Sequence, residues 1–220
     1  MTTSVAIDGP AGAGKSTVAK KLAEKLNFTY LDSGAMYRAV TLAALEDGMD
    51  VNNKEKLKRL VKDLSIDIEY KNNNFKIFMD DQDITNEIRT EKVDNKVSAV
   101  AKIKAVRDEL VKKQRMIAQT KDIVMDGRDI GTRVLPQADY KFYITATVKE
   151  RAKRRYKDVV NRGEDKSFEE VQQEIIRRDR IDSNREYSPL KKAEDAVVID
   201  TTDLNKEQVL EKILRIIRGE

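Results

Sequence analysis

Residues 7–17 read Ile-Asp-Gly-Pro-Ala-Gly-Ala-Gly-Lys-Ser-Thr, and this stretch decides the fold of the chain. It contains Gly-x-x-x-x-Gly-Lys-Ser, the pattern of a phosphate-binding loop. Residues 4–7 form a short β-prone apolar run, which predicts a buried strand leading into the loop. After the loop, Val18, Leu22 and Leu26 recur on one face of a predicted helix. Strand, glycine loop and helix together are the context that this pattern requires.

The loop pattern predicts binding of a nucleoside triphosphate. Glycines let backbone N–H groups turn inward around phosphate oxygens, and a helix N-terminus adds partial positive charge there. We expect Lys15 to reach the outer phosphates and Ser16 to offer its hydroxyl to magnesium. The alternative is a glycine-rich turn without a ligand. The residues assigned to the triphosphate are Gly9, Pro10, Ala11, Gly12, Ala13, Gly14, Lys15, Ser16 and Thr17.

The amino-acid composition limits which kinds of site and catalysis the chain can have. The 220 residues suit one compact domain with appended pieces, and a hydrophobic content of 40% can build a core. The charged residues make up 37% and leave a net charge of only +4, which does not by itself indicate a nucleic-acid binder. The chain has no cysteine, which excludes disulfides and thiolate metal sites. It also has no histidine, so acid–base chemistry must use carboxylates, lysines or the substrate.

The N-terminal residues lack a basic segment followed by an apolar leader, because the first apolar run enters the glycine loop directly. No apolar stretch approaches the roughly eighteen residues that a membrane span requires. We therefore expect a cytoplasmic protein that does not bind membranes.

Short strand-like runs alternate with helical patterns along the chain, which predicts a doubly wound, five-stranded parallel sheet of the α/β class. The five predicted strands are residues 4–7, 28–31, 123–125, 140–144 and 196–199. Capping residues predict where several helices begin. These residues are Asp32 or Ser33, Asn52 or Asn53, Ser167 and Asn205, and we expect the helix after Ser167 to end near Arg180.

One section departs from this alternation. Residues 66–70 and 75–79 alternate apolar and polar side chains, with turn-forming residues at 71–74 and 80–82. This pattern predicts an antiparallel β-hairpin inserted into the α/β chain. Helices are expected to follow over residues 85–119, with a break near Ala101.

Arginines form a second theme. Those beside turns, helix ends or short polar residues are Arg38, Arg107, Arg128, Arg133, Arg178 and Arg185. Arg128 follows a buried strand directly, so the carboxyl-end rule for parallel sheets places it beside the glycine loop. Asp126 and Asp129 flank it, and a charge-paired structural turn is the alternative interpretation.

Two further basic segments are candidates for the site. Arg151, Arg154 and Arg155 lie on a predicted helix that begins near Val148 and suit a mobile cationic lid over phosphates. A solvated basic helix is the alternative, and the lack of interleaved aromatic residues argues against a nucleic-acid patch.

Farther on, Arg178, Asp182 and Arg185 share one helical face by spacing. Two guanidiniums around a carboxylate could bind a sugar hydroxyl and a phosphate together. An exposed ion-pair ladder is the equally weighted alternative.

Four segments together resemble bacterial cytidylate kinase, within the nucleoside monophosphate kinase family of P-loop proteins. They are residues 9–17, 31–38, 126–132 and 178–185, and the resemblance extends over nearly the whole chain, including the hairpin insert. It implies transfer of the γ-phosphoryl group of ATP to CMP or dCMP with magnesium. It also implies that the partners are nucleotides, not nucleic acid, and that the protein is a monomer.

The resemblance assigns roles residue by residue. Lys15, Arg128 and the lid arginines Arg151, Arg154 and Arg155 would act on the transferring phosphoryl group. Magnesium would lie at Ser16, with Asp126 contributing through water. The residues implied for the acceptor are Ser33, Ser98, Arg107 and Asp129 at the cytosine, Arg38, Arg128 and Arg185 at the phosphate, and Arg178 and Asp182 at the sugar. Ser98 rests on the loosest match to the family pattern.

The resemblance also implies a division of the chain. A core P-loop domain would comprise residues 1–32, 120–147 and 186–220. Residues 33–119 would form a monophosphate-binding region with the insert near 66–84, and residues 148–185 would form the helical lid.

Other functions fit parts of the sequence. The nearest rival is a kinase for another small acceptor, such as UMP, AMP or a non-nucleotide hydroxyl. A GTP-dependent switch would carry Asn-Lys-x-Asp and Asp-x-x-Gly patterns, and neither occurs in the sequence. A structural nucleic-acid protein is the most distant alternative.

Overall fold

The computed structural model describes residues 2–71 and 74–220. Five parallel strands form the central sheet in the order β2-β6-β1-β7-β8. These strands are β1 (Ser4–Asp8), β2 (Thr29–Asp32), β6 (Ile123–Gly127), β7 (Tyr140–Thr145) and β8 (Val197–Asp200). The predicted α/β class and five-stranded parallel sheet are therefore confirmed. Because β1 pairs with β6 on one side and β7 on the other, the strand order reverses beside the glycine loop.

Helices connect the parallel strands and enclose the sheet. They are α1 (Lys15–Leu26), α2 (Ser33–Glu46), α3 (Lys54–Asp63), α4 (Glu91–Val100), α5 (Lys104–Ala118), α6 (Val148–Asn161), α7 (Phe168–Ser183) and α8 (Lys206–Arg218). Four predicted caps are present: the side chains of Asp32, Asn53, Ser167 and Asn205 accept hydrogen bonds from the first turns of their helices. The core lies between sheet and helices and includes Ile7, Leu22, Tyr30 and Phe142.

The insert is larger than a hairpin. Strands β3 (Ile66–Lys71) and β4 (Asn74–Met79) pair antiparallel as expected, but β5 (Gln82–Asp83) adds a third strand within the predicted 80–82 turn. Asp80 and Asp81 adopt positive φ angles, which lets the chain reverse tightly enough to pair again. Residues 72 and 73 of the predicted 71–74 turn lie outside the described residues.

Two helix boundaries also differ from prediction. Residues 85–90 are not part of a long helix: a 3₁₀ turn covers Glu87–Arg89 and α4 begins only at Glu91, although the break near Ala101 is present. Helix α7 continues past Arg180 to Ser183, and Arg185 follows its end. The structure therefore does not place Arg185 on the helical face that its spacing suggests.

Candidate active site

The carboxyl ends of the parallel strands meet at one edge of the sheet. The glycine loop follows β1 there, α2 follows β2, and Arg128 and Asp129 follow β6. The N-terminus of α6 and Thr201 lie beyond the ends of β7 and β8. Segments far apart in sequence thus converge on the loop, as the carboxyl-end rule predicts.

The glycine loop needs its glycines for conformation and for space. Gly12 and Gly14 have φ angles of 75° and 89°, which side-chain-bearing residues rarely adopt. Gly9 approaches β7 so closely that a Cβ there would lie 1.9 Å from the Ile144 carbonyl oxygen. A Cβ on Gly12 would lie 2.9 Å from the Arg151 carbonyl oxygen. The backbone is therefore shaped as a cradle at the N-terminus of α1, and such a cradle fits phosphate oxygens.

Lys15 and Ser16 begin α1 at the base of this cradle. Lys15 is buried, and its Nζ donates to the Pro10 carbonyl oxygen at 2.9 Å. Burial lowers the pKa of Lys15, and the positive charges of Arg128 and Arg178 lower this pKa further, although Asp126 and Asp8 oppose them. A cation in this position gains free energy when an anion arrives.

Asp126 is a buried carboxylate at the end of β6 that could take part in a metal site. It accepts hydrogen bonds from Ser16 Oγ at 2.9 Å and from the Tyr30 hydroxyl at 2.7 Å. Burial raises its pKa, and the negative charge of Asp32 adds to the effect. One hydroxyl and one carboxylate suit magnesium, which keeps several waters and takes further oxygens from substrate phosphates. Across the residues described, no larger cluster of acidic side chains could hold a metal ion.

Asp8 joins the loop to the β6 end of the site, and sequence analysis gave it no role. Its two carboxylate oxygens accept the backbone N–H groups of Ile130 at 2.8 Å and Gly131 at 2.7 Å. Burial raises the pKa of Asp8 to about 6, although the two N–H donors oppose the shift. An acidic residue between a buried strand and a glycine loop is the sequence signal that could have identified it.

Arg107 on α5 and Asp129, which follows β6, form a buried ion pair. Arg107 also donates to the Ala101 carbonyl oxygen at 3.0 Å and lies 5.1 Å from the Tyr37 ring. Among the described residues, the Arg107 Nε and the Tyr37 hydroxyl have no hydrogen-bond partner. Buried polar atoms without partners are costly, so this cluster of side chains is suited to a polar ligand.

Ser33 and Ser98, the other two residues implied for the cytosine, lie on α2 and α4. Ser33 donates to the Asp126 carbonyl oxygen at 2.8 Å. Ser98 is half-buried, three residues before Ala101, whose carbonyl Arg107 contacts. Ser33 is thus joined to the β6 end of the site, and Ser98 lies on the helix that precedes the Arg107 contact.

Arg128, Arg178, Asp182 and Arg185 form a second cluster. Arg128 Nε donates to Asp182 Oδ2 at 2.9 Å, and Arg185 Nε donates to the Asp182 carbonyl oxygen at 3.2 Å. Burial, then the charges of Arg128 and Arg38, lower the pKa of Arg178 to about 10. Within the described chain, Arg178 Nε and Arg185 Nη2 are buried without hydrogen-bond partners. Asp182 is therefore surrounded by guanidiniums, which outnumber it and leave a net positive charge.

The arginines of α6 differ in their surroundings. Arg151 is buried, contacts the Ala11 carbonyl oxygen at 3.1 Å and pairs with Asp179 at 2.7 Å. Arg154 donates to the Ala13 carbonyl oxygen at 3.3 Å and twice to Thr201. These two arginines thus attach α6 directly to the glycine loop.

Arg155 lies farther along α6 and pairs with Asp94 on α4 at 2.7 Å, and Asp94 also pairs with Arg38 on α2 at 2.6 Å. No pattern in the sequence indicates Tyr30, Asp94, Asp179 or Thr201, because each acts through a contact distant in sequence. Arg133, by contrast, lies at the surface beside Asp108 and Tyr187.

Comparisons with known proteins agree on the family. The family model for cytidylate kinase matches residues 5–219. The chain is 50% identical over 216 residues to a cytidylate kinase from Bacillus cereus (strain ATCC 10987 / NRS 248), covering 98% of this chain and 96% of that protein. A cytidylate kinase from Bacillus thuringiensis (strain Al Hakam) is equally similar over the same shares.

Solved structures show a more distant likeness of fold. An uncharacterized protein from Eubacterium ventriosum ATCC 27560 has a TM-score of 0.55 at 14% identity, with full coverage of both chains. The shikimate kinase from Bacteroides thetaiotaomicron has a TM-score of 0.51 at 11% identity and also full coverage. The shikimate kinase from Acinetobacter baumannii has a TM-score of 0.50 at 18% identity, covering 100% of this chain and 94% of that one. The family model and the relatives at 50% identity show that the chain belongs to the cytidylate kinase family.

Proposed function

We propose that this protein transfers the γ-phosphoryl group of ATP to CMP or dCMP and releases ADP with CDP or dCDP. One observation carries the proposal beyond family membership. The charges of Arg128 and Arg178 lower the pKa of Lys15, and the charge of Arg128 also lowers the pKa of Arg178, so three cations lie close together. Such crowding of cations is costly without a ligand, and two phosphate groups meeting at this point would relieve it.

The acceptor needs little activation. A phosphate monoester has its second pKa at about 6, so at pH 7 it is already a dianion that can attack without a protein base. This fits a chain that contains no histidine. The obstacle is repulsion between two anions, which Lys15, Arg128 and the other arginines offset while they stabilise the charge spread over the transition state.

The donor end is made mainly of backbone. The backbone N–H groups of residues 9–17, apart from Pro10, bind the triphosphate of ATP, and Lys15 leaves the Pro10 carbonyl for the outer phosphates. Ser16 and, through water, Asp126 would hold magnesium, and the bound ion would neutralise phosphate charge. Tyr30 orients Asp126 by donating to its other oxygen.

The acceptor end reads the base. Arg107 presents donors and Asp129 presents acceptors, which complement the O2, N3 and amino groups along the edge of cytosine. Ser33 and Ser98 complete the base site, Arg178 and Asp182 contact the sugar, and Arg38, Arg128 and Arg185 hold the phosphate. Uracil presents the opposite pattern at two of its positions, so it would leave buried polar groups unpaired.

The third part of the site excludes water. Residues 148–185 form the lid, and Arg151, Arg154 and Arg155 bring positive charge over the transferring group while solvent is shut out. Residues 1–32, 120–147 and 186–220 form the core, and residues 33–119 form the monophosphate-binding region. A cytoplasmic monomer that binds no nucleic acid completes the proposal. Across residues 2–71 and 74–220, no helix combines the length and apolar character needed to cross a bilayer.

An acceptor-profile assay tests the proposal. ADP release is followed by a coupled assay with CMP, dCMP, UMP, AMP and shikimate at matched concentrations. We expect CMP and dCMP to give the highest kcat/KM. A best acceptor among the other three would contradict the specificity. Tight guanine-nucleotide binding without transfer would support the rival switch function.

A further inference from the structure

Asp94 lies on α4, and neither the loop pattern nor the family resemblance singled it out. One of its carboxylate oxygens lies 2.6 Å from Arg38 Nη1, and the other lies 2.7 Å from Arg155 Nη2 and 3.6 Å from Arg162 Nη1. Arg38 comes from α2, whereas Arg155 and Arg162 come from α6 and its C-terminal cap. A single carboxylate therefore joins an arginine of the acceptor site to two cations of the lid.

Other contacts join the lid to α4 and to the turn that precedes it. Lys166 lies 3.0 Å from Glu91 on α4, and Arg162 also donates to the Arg89 carbonyl oxygen at 3.3 Å. These groups are more exposed than Asp94, whose side chain is only 11% exposed. Of the three contacts, only that of Asp94 also reaches Arg38.

Burial of a carboxylate beside guanidiniums makes the interaction strong. Burial alone would raise the pKa of Asp94, but the charges of Arg38 and Arg155 outweigh burial and bring it to about 2. Asp94 therefore stays negative at every pH where the enzyme would work. Without that charge, Arg38 and Arg155 would repel each other across the gap that it now fills.

The phosphate of the acceptor offers Arg38 the same kind of partner. A carboxylate and a phosphate both bind guanidinium through charge-assisted hydrogen bonds, so they compete for its N–H groups. When Asp94 occupies the N–H groups of Arg38, it holds this side chain in place but weakens its binding of the incoming phosphate. The same carboxylate accepts a hydrogen bond from Arg155 at 2.7 Å and so fixes the position of that guanidinium.

We propose that Asp94 is a positioning residue for phosphoryl transfer, which fixes Arg38 and Arg155 on one carboxylate and competes with the acceptor phosphate for Arg38. The inference rests on the proposed function. As a consequence, Asp94 lowers the affinity for the monophosphate and raises kcat. Asp94 weakens binding of the monophosphate, keeps the lid arginine in register, and helps the product to leave.

The test replaces Asp94 by its neutral isostere, Asp94→Asn. By calorimetry we expect CMP to bind roughly three- to tenfold more tightly, because Arg38 no longer shares its charge with a protein anion. We expect kcat to fall by at least about threefold, because Arg155 loses its anchor and the product is held longer. A merely structural role would not tighten binding, so the joint fall of Kd and kcat is the distinguishing result.

Two matched controls accompany it. Glu91→Gln makes the same chemical change three residues earlier on α4, and Lys166 keeps Glu174 at 2.9 Å, so we expect the CMP affinity and kcat of the parent. Asp94→Glu keeps the negative charge, and we expect its Kd for CMP to stay within about twofold of the parent. If Asp94→Asn fails to fold by circular dichroism, Asp94→Ser is measured in its place with the same expectation.

Unchanged or weaker CMP binding in the folded neutral variant would overturn the inference, and so would an unchanged kcat. Failure of the proposed function gives a different result. In that case the parent protein itself would not transfer phosphate to CMP, whatever residue stands at position 94.

Discussion

The donor end and the acceptor end of this site are built in different ways. The proposed donor end is one continuous stretch, residues 9–17, which would bind its ligand mostly through backbone N–H groups in a loop shaped by glycine conformations. The proposed acceptor end is assembled from side chains on α2, α4, α5 and α7 and on the segments after β6 and α7. The first is encoded locally, whereas the second exists only when distant segments meet.

The two ends of the site are also held in a single conformation by different means. Backbone in a glycine loop has few conformations left once the loop has folded. A long arginine side chain loses considerable rotamer entropy when it is fixed. In this structure three arginines of the proposed acceptor end each have an aspartate partner, in the pairs Arg38–Asp94, Arg107–Asp129 and Arg128–Asp182. The comparison indicates that carboxylates hold the acceptor end in advance of its ligand.

The largest expected effect is at the acceptor end. Arg128→Ala removes a guanidinium that bears on both Lys15 and the acceptor phosphate, and we expect kcat to fall about 10³-fold with the fold intact. The coupled assay with CMP measures turnover, and circular dichroism checks the fold. Arg133→Ala removes an arginine that is 44% exposed and should leave turnover within about twofold of the parent. Near-normal turnover of Arg128→Ala would remove that residue from the mechanism.

The donor end should be most sensitive to substitutions that disturb its backbone. In Gly9→Ala the new methyl group would lie 1.9 Å from the Ile144 carbonyl oxygen, so the strand or the loop must move. We expect the free energy of unfolding to fall by about 3 kcal/mol, together with a loss of ATP binding. Gly163→Ala is the matched control, because Gly163 also has a positive φ, 72°, but has no atoms within 4 Å of a new Cβ. Gly163→Ala should lower the free energy of unfolding by about 1 kcal/mol. Equal decreases in the two variants would show that the close approach of Gly9 to Ile144 is unimportant.

A smaller effect should distinguish the binding of CMP from the binding of ATP. Asp182→Ala frees Arg128 and leaves the Arg178 region without its carboxylate, so we expect the Kd for CMP to rise about tenfold or more. The Kd for ATP should change by less than about twofold, because its phosphates bind to the loop backbone. Calorimetry with each nucleotide provides both values. Arg178→Ala should show the same preference, and equal losses for ATP and CMP would mean that the two ends are not separate.

The smallest expected effect concerns Asp8, which joins the two ends. Burial raises its folded pKa from 3.8 to about 6, so the folded chain holds this proton more tightly than the unfolded chain does. Its contribution to stability therefore decreases as the pH rises from about 4 to about 6. Urea unfolding of the ligand-free protein across this range should show the free energy of unfolding of the parent decreasing by about 1–2 kcal/mol relative to that of Asp8→Asn as the pH rises. Parallel curves for the two proteins would rule out this titration.

The sequence predicts the donor end well because its information is local. The loop pattern, the preceding strand and the helix face all fall within residues 4–26, and the structure has each of them. Sheet class and most helix caps follow for the same reason. The third strand of the insert was missed because Gln82 and Asp83 have polar turn chemistry, and pairing with β4 outweighs it.

The acceptor end could be predicted only in part. Arg128 was placed correctly because the carboxyl-end rule needs nothing except strand order. Its pairing with Asp182 spans 54 residues, and no periodicity reports a contact of that kind. Arg185 was misjudged because spacing was extended beyond the end of α7 at Ser183. Asp94 had no signal, since an acidic residue in the first turn of a helix is ordinary capping chemistry.

A crystal structure of the protein with CMP tests the central claim most directly. The account predicts the CMP phosphate among Arg38, Arg128 and Arg185, facing Lys15 across the gap where ATP ends, with the base against Arg107 and Asp129. A nucleotide bound far from Lys15, with no guanidinium at its phosphate, would contradict the account.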